Sequence, residues 1–162
     1  MPPRFGERAP DFELTRPDGS TVRLEELIKD KVLVLFFYPR DETVGCTIEA
    51  CAFRDAYQSF VAAGAEVVGV SRDDTESHKK FATAHNLPFP LLTDRDGSVH
   101  ELYGVKSHLV GMIKDRITYI IDRGGIVRLV FNSRLRFAAH AARALDLVRS
   151  LRDEPAKPNA AM

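Results

Sequence analysis

Two kinds of hydrophobic pattern alternate along the first half of the chain. The segments "KVLVLFFY" (residues 31–38) and "AEVVGVS" (65–71) are apolar at nearly every position. Such continuous runs predict strands that are buried on both faces, in the middle of a sheet. Between them, the segment from Cys46 to about Ala63 has large apolar residues at helical spacing, which predicts a helix with one buried face. These residues are Phe53, Tyr57 and Phe60.

The remaining pattern predicts shorter elements. "DFELTRPDGSTVRLEEL" indicates two short strands around a Pro-Asp-Gly turn. A helix capped by Asp74 or Thr75 follows, and then a short strand in "PLLTD" and a short helix in "GSVHELYGV". "RITYIID" and "IVRLVF" predict a hairpin. The last helix is expected from about Phe137 to Arg152, with Ala141, Leu145, Val148 and Leu151 on its apolar face.

This order of elements predicts an α/β protein with a central mixed β-sheet flanked by helices and an N-terminal β-hairpin. A βαβ unit followed by ββα is the thioredoxin-like order, although pattern alone leaves the order of strands in the sheet open. A chain of 162 residues is expected to form one domain, here over residues 1–152. Residues 153–162, with "EPAKPNAAM", are expected to be a disordered tail.

Charge and composition narrow the classes of partner and compartment. Lys plus Arg and Asp plus Glu both number 23, so net charge gives no reason to expect nucleic acid or an anionic membrane as partner. The first residues lack the apolar segment of a secretory signal, and the longest apolar run is too short to span a bilayer. Two cysteines do not make a disulfide framework. We therefore expect a cytoplasmic protein whose thiols are reduced at rest.

Both cysteines lie near the start of the predicted long helix, five residues apart. Residues at that spacing in an α-helix are turned by about 140° and their Cα atoms are about 8.7 Å apart. A disulfide needs a Cα separation below about 7 Å. Cys46 and Cys51 therefore either never bond, or bond only after the first turn unwinds. Helical phase places Cys46 on the buried side and Cys51 on a more polar side, nearer to solvent.

Cys46 is in a position that favours a reactive thiolate. Gly45 allows a close approach of the backbone, and free N–H groups at a helix start favour an anion and lower the pKa of a thiol. The helix end contributes about 0.3–1 kcal/mol. A guanidinium at about 4 Å contributes about 4 kcal/mol before desolvation, so an arginine would dominate. Spacing alone does not choose between arginines, of which Arg40 and Arg54 are near in sequence. The alternative is two inert, buried cysteines.

The histidines and glycines do not point to a metal or a cofactor. No two histidines have the usual zinc spacing, and there is no Cys-x2-Cys and no Gly-x-Gly-x-x-Gly. We therefore expect solvated or partly packed histidines, no metal and no cofactor. The histidines are His78, His85, His100, His108 and His140.

"YPRDETVGCTIEACAFRD" resembles the active-site signature of the peroxiredoxins. That pattern is Pro, three residues, Thr, two residues, Cys, and it is met here by Pro39, Thr43 and Cys46. The second cysteine five residues later is similar to the Q-type, or bacterioferritin-comigratory, branch. "GVSRDDTESHKKFATAHNLPFPLLTD" and "GMIKDRITYIIDRGGIVRLVFNS" also resemble Q-type segments. The resemblance covers roughly Ala9 to Leu151.

The resemblance implies a thiol-dependent peroxidase for hydrogen peroxide and organic hydroperoxides, active in antioxidant defence and redox homeostasis. It implies that Cys46 is the peroxidatic nucleophile and passes through a sulfenic acid. It implies that Cys51 is the resolving residue, with an intramolecular Cys46–Cys51 disulfide recycled by thioredoxin or a similar dithiol reductant. It also implies a monomer.

The resemblance assigns further roles around the nucleophile. Thr43 would hold the peroxide through its hydroxyl, Pro39 would shield the site from water, and Arg116 would be the active-site arginine. Glu49 would orient that arginine, next to the supporting Gly45. Two positions depart from the Q-type pattern: Val44 stands where a proline is usual, and Ile48 where a polar residue is usual.

Two other functions remain open at this point. A thioredoxin-like disulfide oxidoreductase would need Cys-x-x-Cys and a proline where Arg116 stands, and both are missing. A non-catalytic redox sensor could share every residue named above. Turnover distinguishes a sensor from an enzyme, since only an enzyme consumes peroxide in large excess over itself.

Overall fold

The computed structural model describes residues 2–105, 107–108, 113–114, 116–133 and 136–153. Seven strands form one mixed sheet, and two short strands pair separately. The strands are β1 (Glu13–Thr15), β2 (Thr21–Arg23), β3 (Val32–Phe37), β4 (Ala65–Ser71), β5 (Leu91–Thr93), β6 (Ser107–His108), β7 (Ile113–Lys114), β8 (Ile117–Ile121) and β9 (Val127–Asn132). The helices are α1 (Leu24–Leu27), α2 (Val44–Ala62), α3 (Thr75–His85), α4 (Ser98–Leu102) and α5 (Phe137–Arg152).

The sheet order is β2-β1-β5-β4-β3-β8-β9. Strands β3, β4 and β5 are parallel, whereas β8 and β9 are antiparallel to their neighbours. The predicted α/β class, thioredoxin-like fold and N-terminal hairpin are confirmed. The sheet order brings β8 beside β3, and so places the residue before β8 next to the loop that follows β3.

The two faces of the sheet carry two hydrophobic layers, and β3 contributes to both. All six residues of β3 are buried, as its continuous apolar pattern predicts. Leu33, Leu35 and Phe37 face one layer, while Val34 and Phe36 face the other. The second layer also contains the buried sides of α2 and α5. The beginnings of these two helices also lie together, since the Phe137 ring packs against Gly45.

The observed helices refine the predicted ones. Helix α2 begins at Val44, two residues before the predicted start, because hydrophobic spacing does not mark a helix cap. Asp74 caps α3, and its side chain accepts a hydrogen bond from the Ser77 N–H at 2.8 Å. The predicted bounds of α5 are confirmed, but its buried side is formed by His140, Ala141, Ala144 and Val148.

The domain and tail predictions have different outcomes. A single domain over residues 1–152 stays a prediction. The predicted disordered tail lies outside the described residues from residue 154 onwards. Within the described part of the chain, no helix has the length and apolar character needed to cross a membrane.

Candidate active site

Cys46 is the third residue of α2, and its side chain is 1% exposed. Cys51 lies less than two turns later in the same helix and is half-buried. Both are free thiols. The helix continues without a break through both positions, so the buried and the more accessible cysteine are arranged as the helical phase predicts.

Arg116 reaches the Cys46 thiol from a distant part of the sequence. Its Nη1 donates to Cys46 Sγ at 3.0 Å, and the residue is 8% exposed. Its guanidinium also lies over the Phe137 ring, 4.7 Å from the centroid. The arginines nearer in sequence are placed elsewhere: Arg40 is exposed, and Arg54 binds the His85 carbonyl and Asp55. Among the described residues, Arg116 is therefore the cation at this sulfur.

The loop between β3 and α2 carries Pro39 and Thr43 to the same place. Pro39 is half-buried and directly follows the last buried residues of the β3 segment. Thr43 precedes the first residue of α2, and its hydroxyl donates to the Arg40 carbonyl at 3.0 Å. The Thr43 side chain does not cap the helix. The first N–H groups of α2 thus remain available to an anion next to Cys46.

Opposing effects act on the protonation of Cys46. Burial raises the pKa of the Cys46 thiol, while a hydrogen bond with Thr43 and the positive charge of Arg116 lower it and offset the rise only in part. Burial of the sulfur thus opposes the lowering of the thiol pKa that the helix start favours. Desolvation is the largest effect on the pKa of Cys46, and the sequence pattern does not reveal it.

Gly45 is required by the close packing of two side chains on the helix start. A Cβ at this position would lie 2.6 Å from the Phe137 ring and 2.8 Å from Arg116 Nη2. Both distances are shorter than real Cβ contacts, so any larger residue must displace the ring or the guanidinium. The glycine therefore lets Arg116 reach the sulfur across the backbone.

We expect Gly45→Ala to impair activity and to lower stability by about 1–3 kcal/mol, as overpacking of a tight site usually does. The measurements are peroxide turnover and thermal unfolding. Gly124→Ala is the matched control, because its Cβ would meet only the end of the Asp122 side chain, at 3.3 Å. Normal activity of the Gly45→Ala protein would contradict this expectation, because it would show that displacing the Arg116 guanidinium does not affect catalysis.

Glu49 lies behind Arg116 and is completely buried. Its Oε1 is 3.6 Å from Arg116 Nη1, and its Oε2 is 3.5 Å from His140 Nδ1. Burial raises the pKa of Glu49 to about 8, against the opposing effect of Arg116. The predicted neighbourhood of Glu49 and Arg116 is thus present, but the contact is longer than a hydrogen bond.

The expectation of solvated or partly packed histidines is wrong for His78, His100 and His140, which are all buried. His78 contacts Asp41 at 2.7 Å, and His100 contacts Asp94 at 2.5 Å. Asp41 lies in the loop before α2, 37 residues from His78, whereas Asp94 lies just before α4, six residues from His100. The spacing of the histidines alone did not reveal either partner. A buried polar ring needs such partners, and only the folded chain supplies them.

Asp41 anchors the loop that carries Pro39 and Thr43, and sequence reasoning missed it. Its carboxylate accepts from the Tyr38 hydroxyl at 2.6 Å and from Ser77 Oγ at 2.9 Å, besides contacting His78. Its N–H donates to an Asp73 carboxylate oxygen at 2.8 Å. The loop is therefore fastened to the start of α3. Its place in the quoted motif is the one signal that could have singled it out.

Proteins of known family are similar to this chain over most of its length. A model described as the AhpC/TSA family matches residues 5–130. Peroxiredoxin Q of Populus jackii is 45% identical over 146 residues, which are 90% of this chain and 68% of that protein. Peroxiredoxin Q of Sedum lineare is 46% identical over 147 residues, covering 91% of this chain and 78% of that protein.

Solved structures extend the likeness to three dimensions. Peroxidoxin BcpB from Mycobacterium tuberculosis superimposes with a TM-score of 0.87 at 40% identity, over 92% of this chain and 98% of that one. The Xanthomonas campestris bacterioferritin comigratory protein, described for its alkyl peroxide reduction activity, has a TM-score of 0.78 at 27% identity. That match covers 88% of this chain and 92% of the Xanthomonas chain.

The fold and the family match define a thiol peroxidase, an oxidoreductase of the antioxidant class. The chain belongs to the peroxiredoxins of the AhpC/TSA family, and within them to the Q group. Membership implies a peroxide substrate and a thiol reductant.

The cytoplasmic location expected from the sequence is contradicted by these relatives. The Populus and Sedum proteins are both named chloroplastic, which points to the plastid, although relatives of known structure come from bacteria. The expectation rested on the lack of an apolar signal segment. A plastid transit peptide has no such segment, since it is amphipathic and rich in Arg and Ser.

Proposed function

We propose that this peroxiredoxin reduces hydrogen peroxide and organic hydroperoxides through Cys46, and that Cys51 resolves the oxidised state as an intramolecular disulfide. Thioredoxin or a similar dithiol protein then restores both thiols. The observation that carries the proposal is the 3.0 Å contact between Arg116 Nη1 and the buried Cys46 sulfur at the start of α2. A cation at this sulfur favours both the thiolate and the charge that develops when it reacts.

In the first step the Cys46 thiolate attacks one oxygen of the peroxide. The O–O bond breaks, the leaving oxygen departs as hydroxide or alkoxide and takes a proton, and the sulfur becomes a sulfenic acid. Negative charge spreads over the sulfur and both oxygens. Arg116, the free N–H groups of the first turn of α2 and the Thr43 hydroxyl, once it turns from the Arg40 carbonyl, are the donors proposed to meet it. Pro39, on the adjoining loop, is proposed to limit the access of water.

Organic hydroperoxides are included because of two independent hints. The Xanthomonas relative is described for alkyl peroxide reduction. The beginning of α2 also carries exposed apolar side chains, since Val44 is 78% exposed and Ile48 is 45% exposed. These are the two positions at which the chain departs from the usual Q-type pattern. An alkyl group near this end of the helix would meet an apolar surface.

In the second step Cys51 attacks the sulfenic acid, and a disulfide forms with loss of water. Because both cysteines lie within the unbroken α2, this step requires the helix to unwind at its start. The start is suited to unwinding, since Thr43 does not cap it with its side chain. The separation of the thiols then keeps the peroxide site intact until Cys46 has been oxidised.

Oxidation should therefore be visible as local unfolding. We expect amide hydrogen exchange to accelerate across residues 43–55 in the disulfide form, while β3 keeps its protection. Mass spectrometry of peptides from the reduced and the oxidised protein measures this, and β3 is the internal control. Equal protection of residues 43–55 in both forms would contradict the resolving step.

The function is tested by turnover, with peroxide in large excess and either dithiothreitol or thioredoxin as the electron donor. Sustained consumption with thioredoxin supports the complete cycle, and consumption with dithiothreitol alone would contradict thioredoxin as the reductant. A single equivalent consumed with either donor would favour the redox sensor. Reduction of protein disulfides without peroxidase activity would favour the disulfide oxidoreductase. Gel filtration of the reduced protein tests the predicted monomer.

A further inference from the structure

Arg116 faces two acidic groups. The same atom, Nη1, lies 3.0 Å from Cys46 Sγ and 3.6 Å from Glu49 Oε1. The two acidic atoms are therefore close enough for a charge on one to oppose a charge on the other. One turn of α2 separates the two residues, and both side chains point to the buried side of the helix.

Glu49 is an unusual carboxyl group because it is buried without the hydrogen bonds that would replace its lost contacts with water. It is 0% exposed, and neither of its oxygens has a hydrogen-bond partner among the described residues. A buried ionised carboxylate that lacks hydrogen bonds is unfavourable, whereas a protonated one carries no charge to desolvate. The environment of Glu49 thus favours the neutral acid.

The other elements packed around Glu49 do not supply a second positive charge. In the described part of the chain, the ionisable groups that face it are Cys46 from α2, Arg116 from the segment before β8, and His140 from α5. Burial lowers the pKa of His140, so this ring is neutral at neutral pH. Arg116 is then the one cation that both acids can use.

The hydrogen bonds of His140 agree with a neutral ring. Its Nε2 lies 2.9 Å from the Ser133 carbonyl oxygen, which can only accept, so Nε2 carries the proton. Its Nδ1 then accepts from the Thr118 hydroxyl, 2.7 Å away. In this tautomer the one lone pair of Nδ1 is taken by Thr118, so His140 offers no N–H to Glu49 Oε2, 3.5 Å away, and a carboxylate there would lack a donor from this ring.

We propose that Glu49 and Cys46 compete for the single positive charge of Arg116, so that Arg116 fully supports a Cys46 thiolate only while Glu49 keeps its proton. A thiolate, a guanidinium and a neutral Glu49 form a buried group without net charge. If Glu49 ionises as well, two negative charges share one cation and the buried group becomes negative, which is unfavourable. Glu49 is thus a positioning residue that acts on Cys46 through Arg116.

This competition has a defined pH dependence. Burial raises the pKa of Glu49 to about 8, so Glu49 is neutral at pH 7 and ionises as the pH rises through 8. Above that pH the carboxylate attracts Arg116 and opposes charge on the sulfur. The rate of peroxide reduction per Cys46 thiolate should therefore fall above this pH. An ordinary free thiol, in contrast, only gains reactivity as the pH rises. The rate part of the inference rests on the proposed peroxidase function, whereas the titration of Cys46 requires no turnover.

The test is a titration of Cys46 by thiolate absorbance in the Cys51→Ser protein, which leaves one thiol. Glu49→Gln keeps the shape of the side chain and removes the second acid. We expect the midpoint for Cys46 to fall by about one pH unit or more, because a like charge nearby no longer opposes the thiolate. Asp55→Asn is the matched control, since this acid is on the same helix but its side chain is 71% exposed. Its midpoint should equal that of the parent.

A midpoint that is unchanged or higher in the Glu49→Gln protein would overturn the proposal, because Glu49 would then assist the thiolate. Rates supply a second readout: the rate per thiolate should decline above pH 8 in the parent and not in Glu49→Gln. If the Cys46 midpoint falls as expected in Glu49→Gln but the parent protein shows no peroxide turnover, the proposed function is refuted and this inference stands.

The protein without substitution provides a test that does not depend on the folding of a variant. A protonated carboxyl group has its own carbonyl stretch in the infrared spectrum. We expect a buried carboxylic acid at pH 7 that disappears as the pH rises above about 8. A spectrum with no protonated buried carboxyl at pH 7 would overturn the proposal.

Discussion

The Cys46→Ser protein will not react with peroxide, whereas the Cys51→Ser protein will still be oxidised once. Serine at position 46 removes the nucleophile that Arg116 contacts, and no other buried thiol lies at the helix start in the described residues. Serine at position 51 leaves Thr43, Arg116 and the first turn of α2 intact. A sulfenic acid should therefore form at Cys46 and persist, because the proposed resolving thiol is missing.

Mass spectrometry after one equivalent of peroxide, with dimedone to trap sulfenic acid, measures both outcomes. In the Cys51→Ser protein, excess peroxide should convert Cys46 to sulfinic acid, which is generally irreversible. In the absence of dimedone, small thiols should still reduce the Cys46 sulfenic acid, while turnover with thioredoxin should fall. A dimedone adduct at Cys51 in the Cys46→Ser protein, formed as fast as the parent's at Cys46, would reverse the two roles.

Replacing Arg116 by methionine should slow peroxide reduction by about 10²–10³-fold, the usual cost of losing one donor that meets developing negative charge. It should also raise the pKa of Cys46 further, because Arg116 is one of the groups that lower it. If the pKa were the whole effect, high pH would restore the rate. Since Arg116 is also proposed to meet charge in the transition state, a large part of the loss should persist when Cys46 is fully ionised.

The measurements are stopped-flow oxidation of Cys46 across a range of pH and the thiolate titration of the same variant. Thr43→Val is the matched comparison, since it removes a hydroxyl from the same site without changing its charge. We expect a smaller effect on the pKa from Thr43→Val than from Arg116→Met. Methionine is long and apolar enough to keep packing on Phe137, so the variant should fold. An Arg116→Met protein that titrates and reacts like the parent would contradict the assignment.

Much of the fold is encoded in local patterns. The continuous apolar runs predicted β3 and β4 because a strand with both faces buried needs apolar residues at every position. The spacing of Phe53, Tyr57 and Phe60 predicted α2 because a helix returns to the same face every three or four residues. The separation of Cys46 and Cys51 in that helix follows from helical geometry alone.

Other features have no local signal. The partner of Cys46 could not be chosen from spacing, and the family resemblance was needed to single out Arg116, 70 residues away. The structure then showed why Gly45 is small, and that Asp41 fastens the loop before α2. Histidines that look alike in the sequence were expected to be solvated or partly packed, which is wrong for three of them. His78 and His140 are buried against partners from other parts of the chain, Asp41 and Glu49, and His100 is buried against Asp94, just before its own helix.

The sequence by itself therefore determined the elements, the two thiols and the family motif, because each depends on residues that are neighbours along the chain. Only the tertiary structure decided the strand order, the 3.0 Å contact between Arg116 and Cys46, and the buried position of Glu49. The reason is physical. Charge and pKa depend on desolvation and on distances through space, and both arise when β8 pairs with β3 and α5 packs on α2. The competition between two acids for one arginine exists only in that folded arrangement.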